Sequence, residues 1–95
     1  MNIGRKRVVV VTGADRGLGY ELARQYLERG DIVFAGKYRK NWKLLDGLKS
    51  VYPDTLHIVD LDVRSTEMVK AAAQDILSKT EYIDILINNA GVWLD

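Results

Sequence analysis

Four consecutive valines, Val8 to Val11, run directly into Thr12-Gly13-Ala14-Asp15-Arg16-Gly17-Leu18-Gly19. A run of β-branched residues reads as a strand buried on both faces. The residues that follow, Tyr20 to Leu27, have helical spacing. A strand that breaks into glycines and then into a helix lets phosphate approach a bare backbone. Gly13 permits a sharp turn with positive φ. Gly17, lacking Cβ, leaves room for a pyrophosphate, and Gly19 lets the helix lie close to the strand. The free N–H groups of the first helical turn, with the positive end of the helix dipole, then face the anion. Such glycine turns also serve plain strand-to-helix connections, so the loop alone leaves both readings open.

The remaining chain narrows the choice. A length of 95 residues allows one domain. A net charge of +1 gives no reason to expect nucleic acid or an acidic membrane as partner. The absence of cysteine excludes disulfides, thiolate zinc sites and a cysteine nucleophile. No apolar run is long enough for a membrane span. The basic start, Met1 to Arg7, leads straight into a strand rather than into the apolar core of a signal peptide, so a cytoplasmic location is expected. His57 falls within a strand pattern, and Asp60 and Asp62 lack a third ligand, so no metal site is expected.

Strand-like and helix-like patterns alternate without repeats or linkers. The first helix should run from about Gly17 to Glu28, burying Leu18, Leu22, Ala23, Tyr26 and Leu27, with Gly30 closing it. Asp31 to Gly36 reads as strand two. Trp42, Leu44, Leu45 and Leu48 suggest a short second helix, stopped at Tyr52-Pro53. Thr55 to Val59 is strand three. Ser65 is placed to cap a third helix whose buried face is Met68, Val69, Ala72, Ala73, Ile76 and Leu77. Ile83 to Ile87, almost wholly apolar, is strand four, covered on both sides. Helical connections require parallel strands with right-handed crossovers. The expected fold is α/β: a doubly wound, three-layer half with four parallel strands in the order 3-2-1-4. The glycine loop then leaves strand one beside Asn88-Asn89-Ala90-Gly91, which leaves strand four, at the crevice where such sheets bind ligands.

These residues resemble the short-chain dehydrogenase/reductase family. Thr12 to Gly19 is similar to its T-G-x-x-x-G-[IL]-G loop, Leu61-Asp62-Val63 to its adenine-contacting pair, and Asn88 to Gly91 to its N-N-A-G motif. Leu22 to Leu27 and the short second helix look most like the carbonyl-reductase and C-factor-like branch. The resemblance implies an NAD(P)-binding Rossmann domain over residues 1–95, truncated relative to the family, that serves hydride transfer between a nicotinamide and a carbonyl or alcohol. It implies that Thr12, Gly13, Arg16, Gly17, Leu18 and Gly19 hold pyrophosphate and ribose. Asp62 would accept from the adenine amino group beside Val63. Asn89 would contact ribose, and Ala90 and Gly91 would line the nicotinamide side.

Cofactor choice depends on charge just beyond strand two, where a carboxylate favours NAD(H) and a cation accommodates the 2′-phosphate of NADP(H). Gly36-Lys37-Tyr38-Arg39-Lys40 offers no acid, and Arg16 adds a second cation near Lys37, so NADP(H) is expected over NAD(H). A solvated basic turn is the plainer alternative. The family's catalytic Tyr-x-x-x-Lys is missing: the residues four after Tyr20, Tyr26, Tyr38, Tyr52 and Tyr82 are Arg24, Gly30, Trp42, Leu56 and Leu86. No catalytic residue can therefore be assigned, and the chain as given is expected to bind cofactor without turning over substrate. A catalytically silent nucleotide-binding or interaction module is the other reading. Strand four, left as an apolar edge with Val92, Trp93 and Leu94 trailing from it, would invite self-association.

Overall fold

The valine run forms strand β1 (Val8–Val11) in the computed structural model, which describes residues 5–39 and 42–89. All four side chains are buried because alternate residues of a strand enter opposite layers. Val9 and Val11 pack with Ala23 and Leu27 of helix α1 (Gly17–Glu28) and with Leu45 and Leu48 of helix α2 (Leu44–Val51). Val8 and Val10 face the other way, towards Phe34, Val59 and the Ala72–Ile76 side of helix α3 (Thr66–Lys79). Strands β2 (Ile32–Lys37), β3 (Leu56–Asp60) and β4 (Ile85–Ile87) complete one parallel sheet in the order β3-β2-β1-β4. The expected α/β three-layer arrangement and strand order are those found.

Local chemistry explains where the helices stop and start. Helix α1 is closed by Gly30, two residues past its end at φ 92, with Gly30 N–H donating to Leu27 O at 3.0 Å and Asp31 N–H to Tyr26 O at 3.1 Å. That paired bonding satisfies carbonyls the last turn leaves free. Helix α2 ends at Val51, ahead of Tyr52-Pro53. Ser65 caps α3 by accepting from the Met68 N–H at 3.2 Å.

Four expectations about burial and extent need correction. Trp42 is not part of α2, which begins two residues later. Leu18 is 67% exposed: on the first turn of α1 it stands at the mouth of a cleft, not over the sheet. In α3 only Ala72 and Ile76 are buried, while Val69, Ala73 and Leu77 face outward, because the helix meets the sheet along a line narrower than its apolar stripe. Strand four is shorter than expected and is covered on one side. Ile85 and Ile87 pack towards α1, but Leu86, on the opposite face, is 64% exposed.

The end of the sheet opposite the glycine loop is held by charge. Arg5 donates two hydrogen bonds of 2.9 Å to Asp84, lies over the Tyr82 ring at 3.6 Å, and leaves Asp84 to accept the Val8 N–H at 2.8 Å. Arg7 pairs with the buried Asp31 at 2.9 Å. Arg5 and the Val8 amide hold the Asp84 carboxyl down at about 2, below its usual 3.8. The stabilisation is therefore complete above pH ~4 and is lost as pH falls towards ~2. Asp84→Asn should flatten this part of the acid limb. In urea titrations the stability difference between pH 6 and pH 2.5 should be smaller than in the parent chain; an unchanged difference would remove Asp84 from the account.

Candidate functional site

The glycine loop is built by close approach. Gly13 (φ 62) and Gly17 (φ 59) both have left-handed backbone, which a side chain would strain. Thr12, buried, donates its N–H to Ile87 O at 3.0 Å and its hydroxyl to Asn88 Oδ1 at 3.1 Å. Asn89 donates Nδ2 to Gly13 O at 3.1 Å, so the segment after β4 pins the turn after β1. A Cβ on Gly19 would run into the Gly13 carbonyl oxygen and come within 2.7 Å of Asn89 Nδ2. The tight contact of Gly19 is thus with the turn and Asn89 rather than with the strand itself. A Cβ on Gly17 would meet nothing within 4 Å, because that position opens onto the cleft.

The two long helices begin differently. Helix α3 has its Ser65 cap and Glu67 in its first turn. Helix α1 has no side-chain cap and no acid in its first turn. The orphan N–H groups of α1 and its dipole therefore favour an anion from outside the helix.

Asp15 fixes the neighbouring wall. It is 4% exposed, and its Oδ2 accepts the N–H groups of Tyr38 at 2.9 Å and Arg39 at 2.6 Å. That bond folds the segment after β2 onto the glycine loop. Ala14 N–H adds a bond of 2.8 Å to Gly36 O, and a Cβ on Gly36 would press on Thr12 Cα at 3.3 Å and Leu61 Cδ2 at 3.2 Å. Arg16 and Arg39 each stand 4.9 Å from the centre of the Trp42 ring. On the far wall Asp62 accepts from the Arg64 N–H and Nε, both at 3.0 Å, and Arg64 also donates to the Tyr38 hydroxyl. These Arg64 donors hold the Asp62 carboxyl below its usual range, so it is charged at neutral pH.

The walls enclose a cleft of about 470 Å³, within the usual size of a small-molecule site. Three guanidinium groups (Arg16, Arg39, Arg64) and two carboxylates (Asp15, Asp62) line it. Both carboxylates already accept hydrogen bonds from the protein, so the cleft as a whole favours an anion.

Of the residues singled out in the sequence, Gly13, Arg16, Gly17, Leu18, Asp62, Val63 and Asn89 line this cleft. Thr12 and Gly19 lie behind it as supports. Lys37 is still within β2, paired in register with Asp60, and does not line the cleft; Arg39, two residues on, does. Ala90 and Gly91 lie outside the described residues. Sequence reasoning missed Asp15, Tyr38, Trp42 and Arg64. The available signal was an acid between the loop glycines, which the backbone amides of a following turn could use.

Known proteins place this geometry. The family described as short chain dehydrogenase matches residues 7–95. The NADP-dependent 3-hydroxy acid dehydrogenase YdfG of Escherichia coli (strain K12) is 36% identical over 92% of this chain and 34% of its own length. The (-)-isopiperitenone reductase of Mentha piperita is 40% identical over 92% of this chain and 29% of its own. A short-chain dehydrogenase from Streptomyces avermitilis superposes with a TM-score of 0.83 and 35% identity, covering 96% of this chain and 32% of that one. A short-chain dehydrogenase/reductase from Burkholderia multivorans with bound NADP gives 0.77 and 34%, covering 86% and 35%. The chain thus spans about a third of the length of these proteins.

Two substitutions test the construction of the cleft. Asp15→Ala strands two backbone N–H groups and should cost about 1–3 kcal/mol. Gly19→Ala overpacks the turn and should cost about as much, ~1–3 kcal/mol. Both should appear as a lowered urea midpoint with unchanged slope, and a Gly19→Ala chain as stable as its parent would contradict the close contact described.

Proposed function

The chain belongs to the short-chain dehydrogenase/reductase family, and on that premise we propose that its cleft holds NADP(H) for an oxidoreductase acting on a carbonyl or alcohol. The observation that carries the reading is the uncapped start of α1 beside Arg16 and Arg39. Gly17 opens onto the same space, so a pyrophosphate can reach the amides without meeting a side chain. Support also comes from the NADP held by the Burkholderia multivorans structure and the NADP-dependent Escherichia coli enzyme.

Under this proposal the amides that open α1, Gly17 to Gly19, take the pyrophosphate, and Thr12 keeps the loop in shape. Arg16 and Arg39 take the 2′-phosphate, with Arg39 in the part that the sequence assigned to Lys37. Asp15, 4% exposed and bonded through Oδ2 to two amides, serves to hold the wall of the cleft. Asp62 accepts from the adenine amino group with Val63 beside the ring, and Asn89 offers its Oδ1 to a ribose hydroxyl while Nδ2 stays on Gly13. Ala90 and Gly91 line the nicotinamide side. Bound here, the nicotinamide ring supplies or accepts the hydride. No tyrosine of the chain has a lysine four positions later, so the role proposed for these 95 residues is to bind and orient the dinucleotide. Among the described residues β4 is an edge strand, and its open side would pair with a second copy of the chain.

Titration calorimetry on the full chain tests the reading. NADP⁺ should bind at least about tenfold tighter than NAD⁺, as one or two charge-assisted bonds of ~1.5–3 kcal/mol require. Arg39→Ala should lose most of that preference, whereas Lys37→Ala should keep it. Equal binding of the two nucleotides by the parent chain would overturn the assignment.

A further inference from the structure

We propose that Trp42 is a positioning residue for nucleotide selection: its indole holds Arg16 and Arg39 together, and so sets the preference for the dinucleotide with the extra phosphate. The inference rests on the NADP(H) reading of the cleft. Two guanidinium ions brought to one place repel each other. Each is attracted to the electron-rich face of an aromatic ring, most strongly to tryptophan. Arg16 comes from the loop after β1 and Arg39 from the segment after β2, yet both stand 4.9 Å from the same indole centre. Tyr38 is also near Arg39, at 5.5 Å, but its second cation is Arg64 at 5.0 Å. Among the described residues, Trp42 is therefore the ring that Arg16 and Arg39 share.

Placement supports this role. Trp42 sits two residues ahead of α2, whose Leu45 and Leu48 are buried in the core, so the helix anchors the indole at the cleft wall. Asp15 is turned to the backbone instead: its Oδ2 accepts from the Tyr38 and Arg39 amides. Two long side chains already ordered against one ring lose less freedom when a phosphate arrives. NAD(H), which has no 2′-phosphate, gains much less from the pair. Trp42 should thus act on the ratio of the two affinities rather than on both together.

The test measures NADP⁺ and NAD⁺ binding to the full chain by calorimetry for the parent, Trp42→Leu and Trp42→Tyr, with circular dichroism to check folding. Leucine keeps apolar bulk but has no π face; tyrosine keeps the π face. Trp42→Leu should lower NADP⁺ affinity about threefold to tenfold while NAD⁺ affinity stays within about twofold, and Trp42→Tyr should restore most of the loss. In an Arg16→Ala, Arg39→Ala background, Trp42→Leu should have no further effect on NADP⁺. An unchanged ratio in Trp42→Leu, an equal loss for both nucleotides, or an undiminished effect without the arginines would overturn the role of Trp42 and leave the NADP(H) reading standing. A parent chain that binds the two nucleotides equally, or neither, would overturn both. If Trp42→Leu fails to fold, the Tyr variant decides: it must keep the parent's preference for NADP⁺, and a preference lost there defeats the proposal.

Discussion

The missing side chain at Gly19 is the constraint on which the upper end of this molecule depends. The first turn of α1 closes on the Gly13 carbonyl and on Asn89, leaving no space for even one carbon. Because that contact is so tight, the segment after β4, the turn after β1 and the start of α1 become one rigid piece. Asn89 adds directionality through its bond to Gly13, and Thr12 ties the same piece to Ile87 and Asn88. The crevice between β1 and β4 is where the strand order reverses, so a shape made rigid there is a shape held ready for a ligand.

Charge is organised around that rigid piece in two ways. Buried carboxylates are occupied by protein donors, as Asp15 is by two amides and Asp31 by Arg7. The guanidinium groups of Arg16 and Arg39 are left facing an aromatic ring and the open cleft. Acids hold the scaffold and cations meet the visitor. At the opposite end of the sheet, Arg5 and Asp84 serve only the scaffold, joining the chain's start to the approach to β4.

What the sequence could reveal follows from which forces are local. The alternation of strands and helices, the order 3-2-1-4 and the loop glycines follow from periodicity and backbone geometry, and these were legible. Which cation reaches the cleft was not. The choice between Lys37 and Arg39 is decided by where β2 ends, and that end is set by a bond from Asp15 to amides more than twenty residues away. Trp42 read as helix for a similar reason: its apolar neighbours fit a helical stripe, while its partners come from two distant loops. Helical spacing also tells which way an apolar stripe faces but not how much of it is covered, hence the exposure of Leu18, Val69 and Leu77.

The contrast between the two helix starts has a thermodynamic consequence. Helix α3 carries its own terminator in Ser65, whereas α1 leaves that role vacant. A bound polyanion would then serve as a piece of secondary structure, completing a turn the polypeptide alone leaves open. Occupancy and conformational stability become linked quantities, and the midpoint of unfolding would report the concentration of whatever anion completes α1.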